Sequence, residues 1–193
     1  MLDNALEVKN LENISESKKP KSYRDQFKEE ICSLIEQIEL SDLQQQFMKS
    51  RWLSQVLWLE SRSQQNRNRY YCLRLITIIG GVIVPALVSL NINTDNVQAT
   101  IGWIAFGLSQ AVAISAAVEE FFRYGERYRH YRNTAEAMKI EGWQFFQLSG
   151  PYRNSQSHTE VYSDFAQRVE SIMQRDVEGY LSEVVKDNEK QKS

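Results

Sequence analysis

The chain has 193 residues, a formal net charge of −2 and a mean hydropathy of −0.49. So small a net charge excludes a global basic field for nucleic acid or anionic lipid. With 3 Pro, 8 Gly and no alternating β-branched runs between turn signals, long helices are expected and strands are not. The average hydropathy conceals a concentration: the long uncharged runs fall at residues 75–90 and 101–118, and the remainder is strongly polar.

Residues 1–20 are rich in Lys, Glu, Asn and Ser and read as a disordered tail, because they hold too little apolar surface to offset the entropy of ordering. They contain no apolar stretch of the secretory-signal kind. A helix is predicted from Ser22, where SYRD resembles a capping box, with Phe27, Ile31, Leu34, Ile35 and Ile38 along one face. SDLQ at 41–44 repeats the cap pattern and predicts a break near Ser41. From Ser41 to Arg74 there is neither Pro nor Gly, so the simplest reading is one long helix running into the apolar stretch. Residues 22–74 are thus cytoplasmic helices leading into a membrane. Cys32 and Cys72 have no metal-type spacing and read as small packing residues in a reducing compartment.

Leu75–Ile92 is uncharged over eighteen residues, close to the ~20 needed at ~1.5 Å each to cross a ~30 Å hydrocarbon layer. NINTDNVQAT, residues 91–100, is a short polar link without Lys or Arg, and residues 101–118 give a second uncharged run of eighteen. Residues 75–118 therefore predict a transmembrane hairpin, with crossings at about 73–92 and 100–118. A hairpin buried in a soluble protein is the competing reading, but such helices carry polar stripes. Arg62, Arg67, Arg69 and Arg74 precede the first run, and Arg123, Arg127, Arg129 and Arg132 follow the second. The positive-inside rule then places both termini in the cytoplasm of a multi-pass protein of the cytoplasmic membrane. Arg69, Arg74, Arg123 and Arg127 mark the boundary, beside Tyr70, Tyr71, Phe121, Phe122 and Tyr124.

Residues 119–148 are predicted to continue as a helix, residues 149–158 (SGPYRNSQSH) to form a loop, and residues 159–186 to form a last helix. The apolar face of that helix holds Tyr162, Phe165, Val169, Ile172, Met173, Val177, Tyr180, Leu181 and Val184. Residues 119–186 make up the second cytoplasmic region, and 187–193 a frayed tail. The predicted fold is an all-α membrane protein, a two-helix transmembrane hairpin continuous with long cytoplasmic helices that form a bundle.

Inside the crossings, small or polar residues recur at intervals of four: Thr77, Gly81, Pro85, Ser89; Ala105, Ser109, Ala113, Ala117; Gly107, Ala111, Ser115, Glu119. Small residues let backbones approach in lipid, which assigns helix packing to Gly81, Pro85, Ala105, Gly107, Ala111 and Ala113. Pro85 should also bend the first crossing. Two such rows on the second helix predict a homo-oligomer, of four or more subunits if it encloses a water path. Gln110 sits near the middle of its crossing, where an amide needs an interhelical partner or water. Glu119 and Glu120 either draw cations to a pore mouth or pair with Arg123. Candidate pore-lining residues are Ser109, Gln110, Ser115 and Glu119. The sequence has no P-loop, G-x-G-x-x-G, H-E-x-x-H, C-x-x-C or G-x-S-x-G. No enzyme, cofactor or metal site is expected, and the partners expected are membrane lipid and further copies of the chain, with no nucleic acid. His130 and His158 lie in unrelated segments and read as surface or capping residues. The Arg-rich face at 123–132 suits lipid phosphate or a soluble nucleotide, or pairing with its own glutamates.

Five stretches carry a family resemblance: RWLSQVLW (Arg51–Trp58), YYCLRLITIIGGVIVPALVSL with Pro85 late in the first crossing, YRNTAEAMKIEGW (Tyr131–Trp143), GPYRN (Gly150–Asn154) and FAQRVESIMQRD (Phe165–Asp176). In order and spacing they resemble the bacterial two-transmembrane domain called SLATT, the SMODS and SLOG-associating two-transmembrane effector, over roughly residues 41–181. The resemblance implies a pore-forming effector of anti-phage conflict, triggered by a nucleotide signal from a companion protein. This chain carries neither a nucleotidyltransferase nor a SLOG-type domain, so its own sequence gives the trigger no support. The family supplies no catalytic residues, and the pore idea falls on Ser109, Gln110, Ser115 and Glu119. The expected function is an oligomeric, channel-like membrane protein with a cytoplasmic regulatory region. The alternative is a non-conducting anchor or scaffold that recruits a cytoplasmic partner.

Overall fold

A computed structural model describes residues 22–90 and 95–190 of the chain. The predicted tail over residues 1–20, the link residues 91–94 and the last residues, 191–193, lie outside the described residues. Among the described residues six α-helices occur in order: α1 Tyr23–Gln37, α2 Asp42–Phe47, α3 Ser54–Ser89, α4 Asp95–Phe122, α5 Tyr124–Phe146 and α6 His158–Lys190. A π-helical turn at Met48–Leu53 joins α2 to α3, and a 3₁₀ turn at Gly150–Tyr152 lies between α5 and α6. Among the described residues there is no strand.

The predicted face of α1 is the one used: Ile31 and Ile35 are buried, with Phe27, Leu34 and Ile38 packed beside them. The two capping expectations divide. Ser22 makes no side-chain cap. Ser41 forms a full reciprocal box: its backbone N–H donates to Gln44 Oε1 at 2.9 Å, and the Gln44 N–H donates to Ser41 Oγ at 3.4 Å.

The single helix expected from Ser41 is interrupted by the π turn. An i→i+5 turn inserts one residue and rotates the remainder of the helix about its axis. Here it brings Met48, Trp52 and Leu53 into the core, and the Ser54 N–H donates to the Lys49 carbonyl. Beyond it α3 runs for 36 residues, about 54 Å at ~1.5 Å per residue. It is the spine of the molecule. Its first half packs on α5 and its second half on α4; α6 packs on α5 and reaches the π turn through Arg51–Glu170.

The bundle core is aromatic. The Phe145 and Phe165 rings stack with centroids 4.3 Å apart, and Trp52 meets Phe165 edge-on at 6.1 Å. The Trp52 indole N–H donates to the Met138 carbonyl at 2.9 Å. The indole lies flat against Gly142, where an added Cβ would fall 2.7 Å from Cη2 and 2.8 Å from Cε2. Every residue of this core cluster lies outside 75–118. Cys32 packs against it, as expected of a small packing residue, whereas Cys72 is exposed on α3.

Three boundaries differ from the sequence reading. The second apolar helix starts at Asp95, inside the predicted link, because Val97–Thr100 contain no breaker and extend the helix. The helix predicted over 119–148 breaks at Arg123, whose backbone is left-handed (φ 48, ψ 46). That conformation costs a non-glycine residue about 1–2 kcal/mol. Backbone bonds hold it: the Arg123 N–H donates to Glu119, and the Arg123 carbonyl accepts from Glu126 and Arg127. The last helix opens at His158 and continues to Lys190. Tyr162, Phe165, Val169, Ile172 and Met173 form its packed face, while Val177 is exposed. The side chains predicted at Tyr180, Leu181 and Val184 lie outside the described residues.

Candidate functional site

The spine and α4 together form two helices long and apolar enough to cross a membrane. The most apolar eighteen-residue window of the first is 6% buried, and that of the second 11%. A core helix of a soluble protein buries most of such a window. Here Ile78, Ile79, Val82, Val88, Trp103, Ile104, Phe106 and Ile114 all stand exposed on the outside of the hairpin.

The two helices meet along a seam with alternating spacings of three and four. On α3 the less exposed positions are Leu73, Thr77, Gly80, Val84 and Leu87; on α4 they are Ile101, Ala105, Leu108, Val112 and Ser115. This is the pattern of helices crossing at a shallow angle. At its centre a Cβ on Gly80 would collide with Val112 Cγ2. Gly81, expected at the contact, is exposed with nothing within 4 Å of a Cβ. The intrachain contact therefore uses Gly80. Pro85 also faces outward, and α3 continues through it to Ser89.

On α4 the expected packing and pore-lining residues divide between seam and exterior. Ala105 (4% exposed) and Ser115 (7%) are buried in the seam. Ser109 is half-buried and donates to the Ala105 carbonyl at 2.7 Å. Glu119 is half-buried at the end of the seam. Gly107, Gln110, Ala111 and Ala113 are exposed. Within one chain, then, Gln110 shares no face with Ser115, and Ser109 and Ser115 serve packing between α3 and α4.

Below the apolar spans lies a charged collar holding all four expected boundary arginines. On one side Tyr70, Arg74, Glu119, Glu120, Arg123 and Arg129 line a polar recess of about 270 Å³. Arg123 lies 3.6 Å from Glu126. On the other side Arg69 and Arg127 face a second recess, with the Arg69 guanidinium 5.6 Å from the centre of the Tyr124 ring. The ring of Tyr70 packs on Gly125, fixing α5 against α3 where the collar begins.

The bundle contains buried charge that the sequence reading missed. Glu141 is 5% exposed and lies on the apolar face of α5, between Met138 and Phe145. Arg168 of α6 holds it bidentately, Nε to Oε1 at 2.6 Å and the second nitrogen to Oε2 at 3.0 Å, and the Tyr152 hydroxyl donates to the same carboxylate. Burial, and then the bond to Glu141, push the Tyr152 phenol far above its ordinary range. The available signal was spacing: Glu141 falls three residues after Met138 and four before Phe145, on one helix face. Lys139 bridges Glu60 and Glu136 at 2.9 Å each. Burial opposes its charge, but the bonds to Glu136 and Glu60 outweigh that and raise its pKa. His130 joins Asp176 at 2.9 Å, and Thr134 donates to the same oxygen at 2.7 Å. His130 therefore ties α5 to α6 instead of standing on the surface, while His158 touches the Phe146 carbonyl at 3.2 Å. These clusters lock helix to helix. Among the described residues no group of three His, Cys, Asp or Glu is placed to hold a metal.

An all-helical chain with two exposed apolar helices above a charged collar is thus the class defined by fold and site. The chain belongs to the protein family of unknown function DUF4231, whose model matches residues 54–160. That segment covers α3, α4, α5 and the Gly150–Tyr152 turn. No curated protein and no solved structure matches the chain.

Proposed function

We propose that this protein is a homo-oligomer of the cytoplasmic membrane, its hairpin crossing the bilayer and its bundle and both termini in the cytoplasm, and that it acts as a channel-like effector. The observation that carries the reading is Gln110. It lies on the side of α4 opposite the seam, exposed, with Gly107 and Ala113 about one turn either side on the same outer surface. An amide facing hydrocarbon without a partner costs about 2–7 kcal/mol. A second subunit or a water path removes that cost, and small neighbours allow close approach. Glu119 and Glu120 would then stand at the cytoplasmic mouth. The resemblance to SLATT two-transmembrane effectors supports the same reading and suggests a nucleotide signal or companion protein as trigger.

Native mass spectrometry of the full chain in lipid nanodiscs tests the reading. A ring of four or more subunits is expected, and a monomer or dimer would overturn the pore. In a reconstituted bilayer Gln110→Leu should reduce or alter the current; an unchanged current removes Gln110 from the path. A cysteine placed at Asn93, in a chain lacking Cys32 and Cys72, should react with an impermeant reagent from outside intact cells. Reaction only after lysis would reverse the topology.

A second reading rests on the position of the core, all of it in the bundle. On that reading the hairpin is a non-conducting anchor and the bundle a scaffold for a cytoplasmic partner. A stable oligomer without conductance, copurifying with one stoichiometric partner, would favour it.

A further inference from the structure

The two sides of the collar differ in charge. The recess holding Arg74, Arg123 and Arg129 also holds Glu119, Glu120 and Glu126, so its charges are internally compensated. The groove on the opposite side, about 290 Å³ between α3 and α5, is lined by Arg62, Arg69 and Arg127 and by no carboxylate. Among the described residues none of these three arginines makes an ion pair; Arg62 reaches only the Gln65 amide oxygen, at 3.5 Å. A patch of three unneutralised charges in a chain of net charge −2 is a local feature of the fold and not a property of its composition.

The groove is also ordered. Its walls are the rings of Trp58, Tyr124 and Tyr131, and two guanidinium groups are already positioned by them, Arg62 at 5.5 Å from Trp58 and Arg69 at 5.6 Å from Tyr124. Trp58 is itself held edge-on by Tyr131. Stacking leaves the guanidinium edges open for bidentate bonds and removes part of the entropy a ligand would otherwise have to fix. Phe122, the last residue of α4, lines the upper end, so the groove opens directly onto the apolar spans. Arg69 lies six residues before Leu75, about 9 Å along the helix, within reach of a headgroup layer. Arg62 is two turns deeper.

We propose that this groove binds the phosphate of an anionic phospholipid, with Arg69 and Arg127 on the phosphate, Arg62 on the polar extension of the head, and the acyl chains rising past Phe122. The fork of an arginine fits phosphate oxygens bidentately, and the aromatic walls suit the interfacial region. The inference rests on the hairpin crossing a membrane, and its test separates the two.

The full chain is first floated with phosphatidylcholine vesicles and extracted with alkaline carbonate. Failure to float, or release by carbonate, sinks the membrane reading and the lipid site with it. For a chain that stays embedded, phosphatidylglycerol retained through detergent purification is counted by native mass spectrometry. Arg69→Gln and Arg127→Gln should each lower retention about tenfold, and Arg62→Gln less. Arg74→Gln, an equal loss of charge on the compensated side, should leave it unchanged. Equal loss in all four variants would reduce the effect to a general field and overturn the site. A chain that stays embedded but binds inorganic phosphate in the groove while retaining no phosphatidylglycerol would overturn the lipid assignment in favour of a soluble anion. Circular dichroism confirms that each variant remains folded, and Arg69→Lys, which keeps charge but loses the fork, should recover retention only in part.

Discussion

Replacing Gly142 by alanine places a methyl group against Trp52, a fully buried aromatic side chain of the bundle. Trp52 is 1% exposed and fixed by its bond to the Met138 carbonyl, and the new Cβ would stand 2.7 Å from Cη2 and 2.8 Å from Cε2, well inside ordinary contact. Overpacking of this kind costs about 1–3 kcal/mol. If the indole retreats, the buried hydrogen bond goes with it, for about 1 kcal/mol more. Alanine in mid-helix returns about 1 kcal/mol of helix propensity. The net is a loss of about 1–3 kcal/mol, or roughly 2–10 °C in Tm for a chain this size. Thermal unfolding of the detergent-solubilised protein, followed by near-ultraviolet circular dichroism, reads it directly. A double-mutant cycle sharpens the test, because Trp52→Phe removes the outer ring that clashes: the pair should be less destabilised than the sum of the singles by about 0.5 kcal/mol or more. A Gly142→Ala chain as stable as the parent, or strict additivity in the cycle, would refute the packing account.

In lipid nanodiscs Gly80→Ala should lower thermal stability through its collision with Val112, while Gly81→Ala should not; equal losses would contradict the seam. Tyr152→Phe removes a donor from the buried Glu141 carboxylate and should cost about 1–3 kcal/mol in denaturant unfolding; a neutral result would mean that Arg168 alone satisfies Glu141. Because the folded Tyr152 pKa is raised, its contribution is intact below the unfolded value of about 10 and is lost as pH rises through the folded one. Alkaline absorbance titration should accordingly find a tyrosine that ionises only as the bundle opens. The opposite sign holds for Glu170, whose carboxyl is lowered chiefly by its hydrogen bond from Arg51. Its contribution is present above the ordinary carboxylate range and fades as pH falls through the folded pKa. Arg51→Gln should move the Glu170 carbon-13 titration upward, and an unshifted curve would show that the pair has no effect in solution.

Much of the hairpin was legible because it depends on composition: two uncharged runs with arginines outside them specify length and separation. The faces of α1 and α6 were legible from 3.6-residue periodicity. Which residues occupy the seam was not. Rows at intervals of four advance 400° per step and drift 40° off any one face, so Gly81 and Ala113 fell outside a contact that alternates threes and fours through Gly80 and Ser115. Gln110 and Ser109 are neighbours in sequence but 100° apart around the axis, which separates exterior from seam. The π turn at Met48–Leu53 and the break at Arg123 contain neither Gly nor Pro, so local propensity gave no sign of them. Glu141 was missed because its partners come from the 3₁₀ turn and α6, 11 and 27 residues away.

The break at Arg123 resets the rotational phase of the chain. Continued as one helix, the seam of α4 through Val112, Ser115 and Glu119 would pass to Phe122, Glu126, Arg129 and Asn133, all of which are exposed. The residues α5 turns inward are instead Ala135, Met138 and Gly142, on nearly the opposite side of that continuation, about half a turn away. One left-handed residue thus lets α4 and α5, consecutive in the chain, present different faces to the same spine. Adding or deleting one residue between Glu120 and Tyr124 would turn α5 about 100° relative to α4, so the length of this short segment sets which face α5 presents to the spine.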